Sequence, residues 1–248
     1  MIATTDDLFL GGKVRIRQPA KGYRAGLDPV LLAAAVDAKA GQSVLELGMG
    51  VGTALVCLGA RVPGLTLAGV EIQPELAALA CENVSRAGLI ADVITSDLKE
   101  LPSEIRSRTF DHVIANPPYF QRHRGSSSDL VSRETSRREA TPIAHWIDVA
   151  TRRLAPKGIL TLIQRANRLG DVLDSCDDRL GSFVIRPIAS RIGRDAEFVI
   201  LSAKKGGRAD MRLLAPFVLH EGAVHDGDRD SYTSDAQAIL RDGAPLPV

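Results

Sequence analysis

A short apolar strand running straight into alternating glycines constrains this chain more than any other stretch. Ser43-Val44-Leu45-Glu46-Leu47 has the length and composition of a buried parallel strand. It enters Gly48-Met49-Gly50-Val51-Gly52, and a helical pattern follows to about Arg61, closed by Pro63-Gly64. Glycines at that junction let the backbone turn sharply and approach a ligand, with the N–H groups of the following helix close behind. The unit then recurs in outline. A second strand over residues 65–72 ends on Glu71, and Pro74 opens a helix running to Ala87 and stopped by Gly88. A third strand, Asp92-Val93-Ile94-Thr95-Ser96, ends at Asp97. A fourth, Phe110-Asp111-His112-Val113-Ile114-Ala115, runs into Asn116-Pro117-Pro118-Tyr119. This alternation predicts an α/β fold: a doubly wound, Rossmann-like, mostly parallel sheet of seven strands whose last strand is antiparallel.

The flanks fit a single domain over residues 1–248. Residues 1–42 read as an N-terminal hairpin and a capping helix. Gly11-Gly12-Lys13-Val14-Arg15-Ile16-Arg17 alternates like a half-exposed strand, and Asp28-Pro29 supplies an N-cap with proline at the first helical position. The catalytic core spans 43–203. Past the fourth strand its rhythm is broken over 120–141, a polar stretch carrying Arg122, Arg124, Arg133, Arg137 and Arg138. Loops of that length in compact domains are usually functional or disordered. A helix is expected over 142–154, a fifth strand over 158–163 and a helix over 167–180. Phe183-Val184-Ile185 should then pair with Phe198-Val199-Ile200-Leu201. Residues 204–248 form an extension with a basic patch (Lys204, Lys205, Arg208, Arg212) and a short terminal helix near 234–241.

Chemistry enters at the strand ends. Glu46 stands two residues before the first glycine, where a carboxylate repels a pyrophosphate but attracts an ammonium or sulfonium. That disfavours a nicotinamide dinucleotide, whose turn usually reads G-x-G-x-x-G, and implies S-adenosylmethionine, which carries both cations and no phosphate. Glu71, ending the next strand, is placed to accept from both ribose hydroxyls, and Asp97 from an adenine amino group. Gly48, Gly50 and Gly52 form the cradle. Tyr23 and Arg24, just before Asp28, are candidate ligand contacts.

The Asn116-Pro117-Pro118-Tyr119 stretch is a stiff ledge. Two prolines fix two φ angles and remove two backbone donors, and the residue before each is pushed toward extended backbone. The ledge offers one amide side chain, carbonyls without competing local N–H groups, and an aromatic ring. It suits a planar NH2-bearing group, whose protons meet the oxygens while its π face meets Tyr119. In a doubly wound sheet the first and fourth strands become neighbours, and ligands bind outside their carboxyl ends. The glycine turn and the ledge would therefore share one crevice.

These motifs together resemble the class I S-adenosylmethionine-dependent amino-methyltransferases of the NPPY type. With Gly22-Tyr23-Arg24-x-Gly26-x-Asp28 before the first strand, the chain is similar more narrowly to the bacterial adenine-N6 methyltransferases of valine tRNA. The resemblance implies catalytic roles for Asn116, Pro117, Pro118 and Tyr119. It implies cofactor contacts from Tyr23, Arg24, Asp28, Glu46, Gly48, Gly50, Gly52, Glu71, Asp97 and Asn116. The substrate it implies is an adenine in RNA beside a tRNA anticodon, flipped out to reach the ledge. Arg122, Arg124, Arg137 and Arg138, following the ledge, would meet phosphates.

Alternatives share the ledge. A protein-glutamine N5-methyltransferase acting on release factors resembles a longer chain with a helical domain ahead of the first strand. DNA adenine methyltransferases usually add a target-recognition region. Guanine-N2 methyltransferases of rRNA more often end the ledge in phenylalanine. A cofactor-binding partner of RNA without activity would not need an intact ledge. A formal net charge of +1 excludes a molecule that is a polycation throughout, so RNA contacts must be local. Cys57, Cys81 and Cys176 are too widely spaced for a disulfide framework or metal knuckle. His220 and His225 are five residues apart rather than four, so no metal is expected. No apolar run reaches about 18 residues, so no membrane span is expected. A cytoplasmic enzyme, monomer or homodimer, fits the whole reading.

Overall fold

The computed structural model describes residues 2–22, 24–118, 141–222 and 231–248. Strands β1 (Thr4–Phe9) and β2 (Val14–Pro19) form an antiparallel hairpin, and helix α1 (Asp28–Ala35) follows. The alternating core then runs β3 (Ser43–Leu47), α2 (Thr53–Arg61), β4 (Thr66–Glu71), α3 (Pro74–Arg86), β5 (Ala91–Thr95), the short α4 (Ser103–Arg106) and β6 (Phe110–Ala115). After it come α5 (Ile143–Arg153), β7 (Leu154–Arg165), α6 (Leu169–Asp174), β8 (Leu180–Arg191) and β9 (Ala196–Lys205). Two short strands, β10 (Arg212–Leu213) and β11 (Phe217–His220), and α7 (Ser234–Gln237) complete the order.

Among the described residues the main sheet has nine strands, ordered β10-β8-β9-β7-β6-β3-β4-β5, with β11 also on β8. Seven of them are the expected doubly wound core. β9 runs antiparallel to both of its neighbours, β7 and β8, and the 183–185 and 198–201 segments pair as anticipated, with Ile185 opposite Leu201. The two further strands come from the extension, where β10 and β11 pair parallel to β8 and occupy an edge otherwise open.

Strand alternation sorts the core onto two faces. Val44, Ile114 and Ile163 face the layer of α1, α2 and α3, and Leu45, Leu47, Ala115 and Leu162 face α5. The terminal segments join the first layer. Leu10, Val14 and Ile16 of the hairpin region and Ile239, Leu240 and Leu246 near the end of the chain belong to that same buried cluster.

Several expectations shift. Helix α1 begins at Asp28 rather than after it, and Leu27 holds the cap position without a side-chain bond. The expected 167–180 helix shortens to Leu169–Asp174 behind a 3-10 turn, Ala166–Arg168. Gly170 weakens it, and Asp177 Oδ1 accepts from Arg179 N, offering the backbone a turn in place of another helical bond. The fifth strand starts early, at Leu154, and absorbs Pro156 and Gly158 in an irregularity where its register against β6 slips between Phe110 and His112. The terminal helix holds for one α turn and continues as a π turn over Ala238–Asp242.

Candidate active site

The register brings the expected motifs to one edge. Leu47 pairs with Val70 on one side and Ala115 on the other, so the Gly48 turn emerges beside both Glu71 and Asn116. Glu71 lies opposite Thr95, which places Asp97 just beyond the same edge, and Ala115 lies opposite Leu162, which brings Gln164 level with Pro117.

The glycine turn is built from left-handed residues. Gly48, Gly50 and Gly52 have φ of +63°, +56° and +82°. At Gly48 the requirement is double, because a Cβ there would lie 2.4 Å from Cη2 of Trp146. Trp146 is buried on α5 and packs against the turn at this point. Gly50 has open space where its side chain would be.

Glu71 fastens this turn. Its Oε2 accepts from Gly50 N at 2.7 Å and its Oε1 from Gln73 N at 3.0 Å. Each carboxylate oxygen retains a second lone pair for a ligand hydroxyl. Glu46 is buried under the turn and accepts from Leu55 N in the first turns of α2 at 3.0 Å. Burial pushes its carboxyl up to about 8; the Leu55 N–H pulls the other way and the charge of Glu71 adds to the rise. Thr53, at the start of α2, has a buried hydroxyl with no partner among the described residues. A buried acid, an open glycine cradle and an orphaned hydroxyl at a helix N-terminus fit a ligand carrying both an ammonium and a carboxylate.

Asp97 Oδ1 caps the 3-10 turn Leu98–Glu100 through Lys99 N at 2.9 Å. Arg24 serves the hairpin: its guanidinium bonds Thr5 Oγ1 at 2.7 Å, the Pro19 carbonyl at 3.3 Å and the Asp7 carboxylate. Asp28 turns to the ledge, where its Oδ2 accepts from Asn116 Nδ2 at 2.7 Å. The candidates Tyr23, Tyr119, Arg122, Arg124, Arg137 and Arg138, with His225, lie outside the described residues. Among the described residues no group of three His, Cys, Asp or Glu side chains is arranged to hold a metal, and no helix is long and apolar enough to cross a membrane.

Two polar side chains complete the site without having been singled out. Gln164, buried in β7, points Nε2 at the Pro117 carbonyl at 3.4 Å, long for a hydrogen bond, while its Oε1 accepts from Arg165 N. Asn83, fully buried in α3, donates to the Val51 carbonyl of the glycine turn and to the Arg17 carbonyl, and accepts from Arg17 N. Each was visible as an amide standing where the pattern calls for an apolar residue.

The methyltransferase small domain model matches residues 26–175, which contain the turn, the strand-end acids and the ledge. The chain belongs to that family. It is an S-adenosylmethionine-dependent methyltransferase. A tRNA1(Val) (adenine(37)-N6)-methyltransferase of Porphyromonas gingivalis is 31% identical over 75% of this chain and 73% of its own length. One from Dickeya chrysanthemi is 27% identical over 88% and 87%. Among solved structures, a predicted O-methyltransferase of Agrobacterium tumefaciens superimposes with a TM-score of 0.71, covering 89% of this chain and 99% of its own, at 24% identity. The Thermus thermophilus 16S rRNA N2 G1207 methyltransferase superimposes with a TM-score of 0.57 at 21% identity, over 82% of this chain and half of its own. These last two likenesses establish the shared fold. In this methyltransferase the glycine turn that follows β3 and Asn116, which follows β6, leave the same edge of the sheet side by side.

Proposed function

We propose that the protein methylates N6 of an adenine in tRNA, at position 37 of a valine tRNA. The observation that carries this reading is the ledge itself: an amide and a proline carbonyl at the end of β6, one residue past the Leu47–Ala115 pair that abuts the glycine turn. The names of the relatives direct the choice of nucleic acid.

S-adenosylmethionine supplies an electrophilic methyl group on a sulfonium. An adenine N6 lone pair is delocalised into the ring and attacks poorly. Asn116 Oδ1 and the Pro117 carbonyl accept its two N–H bonds, which lets the nitrogen rehybridise toward the methyl group and stabilises the positive charge that develops there. As the new N–C bond forms from that lone pair, the S–CH3 bond breaks with its electron pair passing to sulfur, so S-adenosylhomocysteine leaves, and one N–H proton is lost to water. Tyr119 stacks on the flipped base. Glu46 and Glu71 hold the cofactor's cationic end and its ribose, and Asp97 its adenine. Arg122, Arg124, Arg137 and Arg138, which follow the ledge in sequence, contact tRNA phosphates.

Labelled S-adenosylmethionine incubated with total RNA and, separately, total protein, followed by nucleoside and amino-acid analysis, tests the reading. Label is expected in N6-methyladenosine of the tRNA fraction, and in a valine tRNA transcript only while adenine stands at 37. Label in N5-methylglutamine or N2-methylguanosine would overturn it.

A further inference from the structure

We propose that Asp28 is a positioning residue for methyl transfer, acting through the Asn116 amide. The inference rests on the proposed ledge chemistry and adds a residue to it. Asn116 sits at the end of β6 with its side chain on the α1 side of the sheet, as the alternation from Ile114 requires. Asp28 stands at the first position of α1, and its Oδ2 lies 2.7 Å from Asn116 Nδ2 across 88 residues of chain. The bond is short for N–H to oxygen, as charge-assisted bonds are.

An amide facing solvent turns either end outward. An ionised carboxylate only accepts, so the end facing Asp28 must be the NH2 and the other end must be Oδ1. Asp28 thus fixes which end of the Asn116 amide faces α1 and which faces away from it. A flipped amide would present two donors to another NH2, and the ledge would repel the group it has to hold. The negative charge also polarises the amide, strengthening Oδ1 as an acceptor just where positive charge grows in the transition state. From the opposite face, buried Gln164 approaches the Pro117 carbonyl at 3.4 Å, so the ledge is held on both sides of the sheet.

Asp28→Asn keeps size and hydrogen-bonding capacity but satisfies both amide orientations and removes the charge. On tRNA substrate its kcat is expected to fall about tenfold or more, with cofactor affinity changed by less than about twofold. Asn116→Asp alone confronts two carboxylates and should lose more. Combining it with Asp28→Asn restores a carboxamide–carboxylate pair in reversed order, with a carboxylate oxygen now facing the substrate. That double variant should regain at least about tenfold in kcat over Asn116→Asp. Unchanged kcat in Asp28→Asn, a matching loss of cofactor affinity, or additive losses in the double variant would each overturn the proposal. Failure of the wild-type protein to methylate an adenine would instead remove the functional reading beneath it.

Discussion

Three side chains decide what the site can do, and each makes a separable prediction. Asn116 is proposed to hold the substrate amino group, whereas Glu71 holds the glycine turn through Gly50 N and Gln73 N. Asn116→Ala should therefore cut kcat by about 10²-fold or more while calorimetric cofactor affinity stays within about twofold. A loss of cofactor binding with turnover retained would reverse the assignment. Glu71→Ala should do the opposite, weakening cofactor binding first, and an unchanged affinity would contradict its role. Glu46 adds a pH signature. Its folded carboxyl is raised from the ordinary 4.5 to about 8, chiefly by burial. Between those values the folded protein keeps a proton that the unfolded chain has lost, so this group's contribution to stability is present below about 4.5 and declines as pH rises toward 8. A cation seated in the turn favours the ionised form, so cofactor binding near neutral pH should release a proton. Calorimetry in buffers of different ionisation enthalpy measures this directly. Release in the wild type and none in Glu46→Gln is the expected pair of results; equal release in both would remove Glu46 from the cofactor's surroundings.

At the scale of elements, the site depends on how α1 and α3 grip the sheet. Asn83 of α3 ties the β2 backbone at Arg17 to the Val51 carbonyl, making three bonds from a fully buried amide. Asn83→Ala leaves buried backbone groups without partners and should cost about 2–3 kcal/mol in urea unfolding, with weaker cofactor binding because Val51 is in the turn. A smaller loss with unchanged binding would mean that water replaces the amide. The elements were legible where the information was local. Residues 43–52 and 110–118 announce strand, turn and ledge through apolar runs, glycines and prolines, and the strand-end acids follow from the alternation. What escaped was non-local. Asp28-Pro29 is a strong capping signal taken alone, and nothing nearby reveals that the carboxylate is drawn to Asn116 instead. Arg24 reads as a candidate ligand contact beside Asp28, and nothing nearby reveals that its guanidinium also bonds Asp7 and Thr5 of the hairpin. Asn83 and Gln164 were readable in principle, because a buried amide in an apolar pattern must be satisfied by something.

Across the whole molecule, the last residues of the sequence pack into the layer that contains α1. Ile239, Leu240 and Leu246 are buried in the cluster that contains α1, and Leu246 N donates to Ala34 O at 2.8 Å. The Gly11 backbone lies so close to Arg241 that a Cβ there would be 2.7 Å from its carbonyl oxygen, and Lys13 Nζ donates to the Asp242 carbonyl. The hairpin, α1 and the closing segment therefore stabilise one another on one face of the sheet, while β3, β4 and β6 also bury side chains against the opposite layer. Leu246→Ala removes a buried side chain at the C-terminal end of α1 and should cost about 2–3 kcal/mol. The loss should appear first as local opening of α1 rather than as global unfolding. Hydrogen exchange at the amides of α1 should accelerate in that variant well before those of β3 and β4. Asp28 rides on α1, so methyl transfer should fall with α1 protection while cofactor affinity, proposed to depend on the β3 and β4 ends, holds. Uniform acceleration across α1, β3 and β4 would show instead that the sheet and its flanking layer open as one unit, and that the ledge has no support distinct from the cofactor cradle.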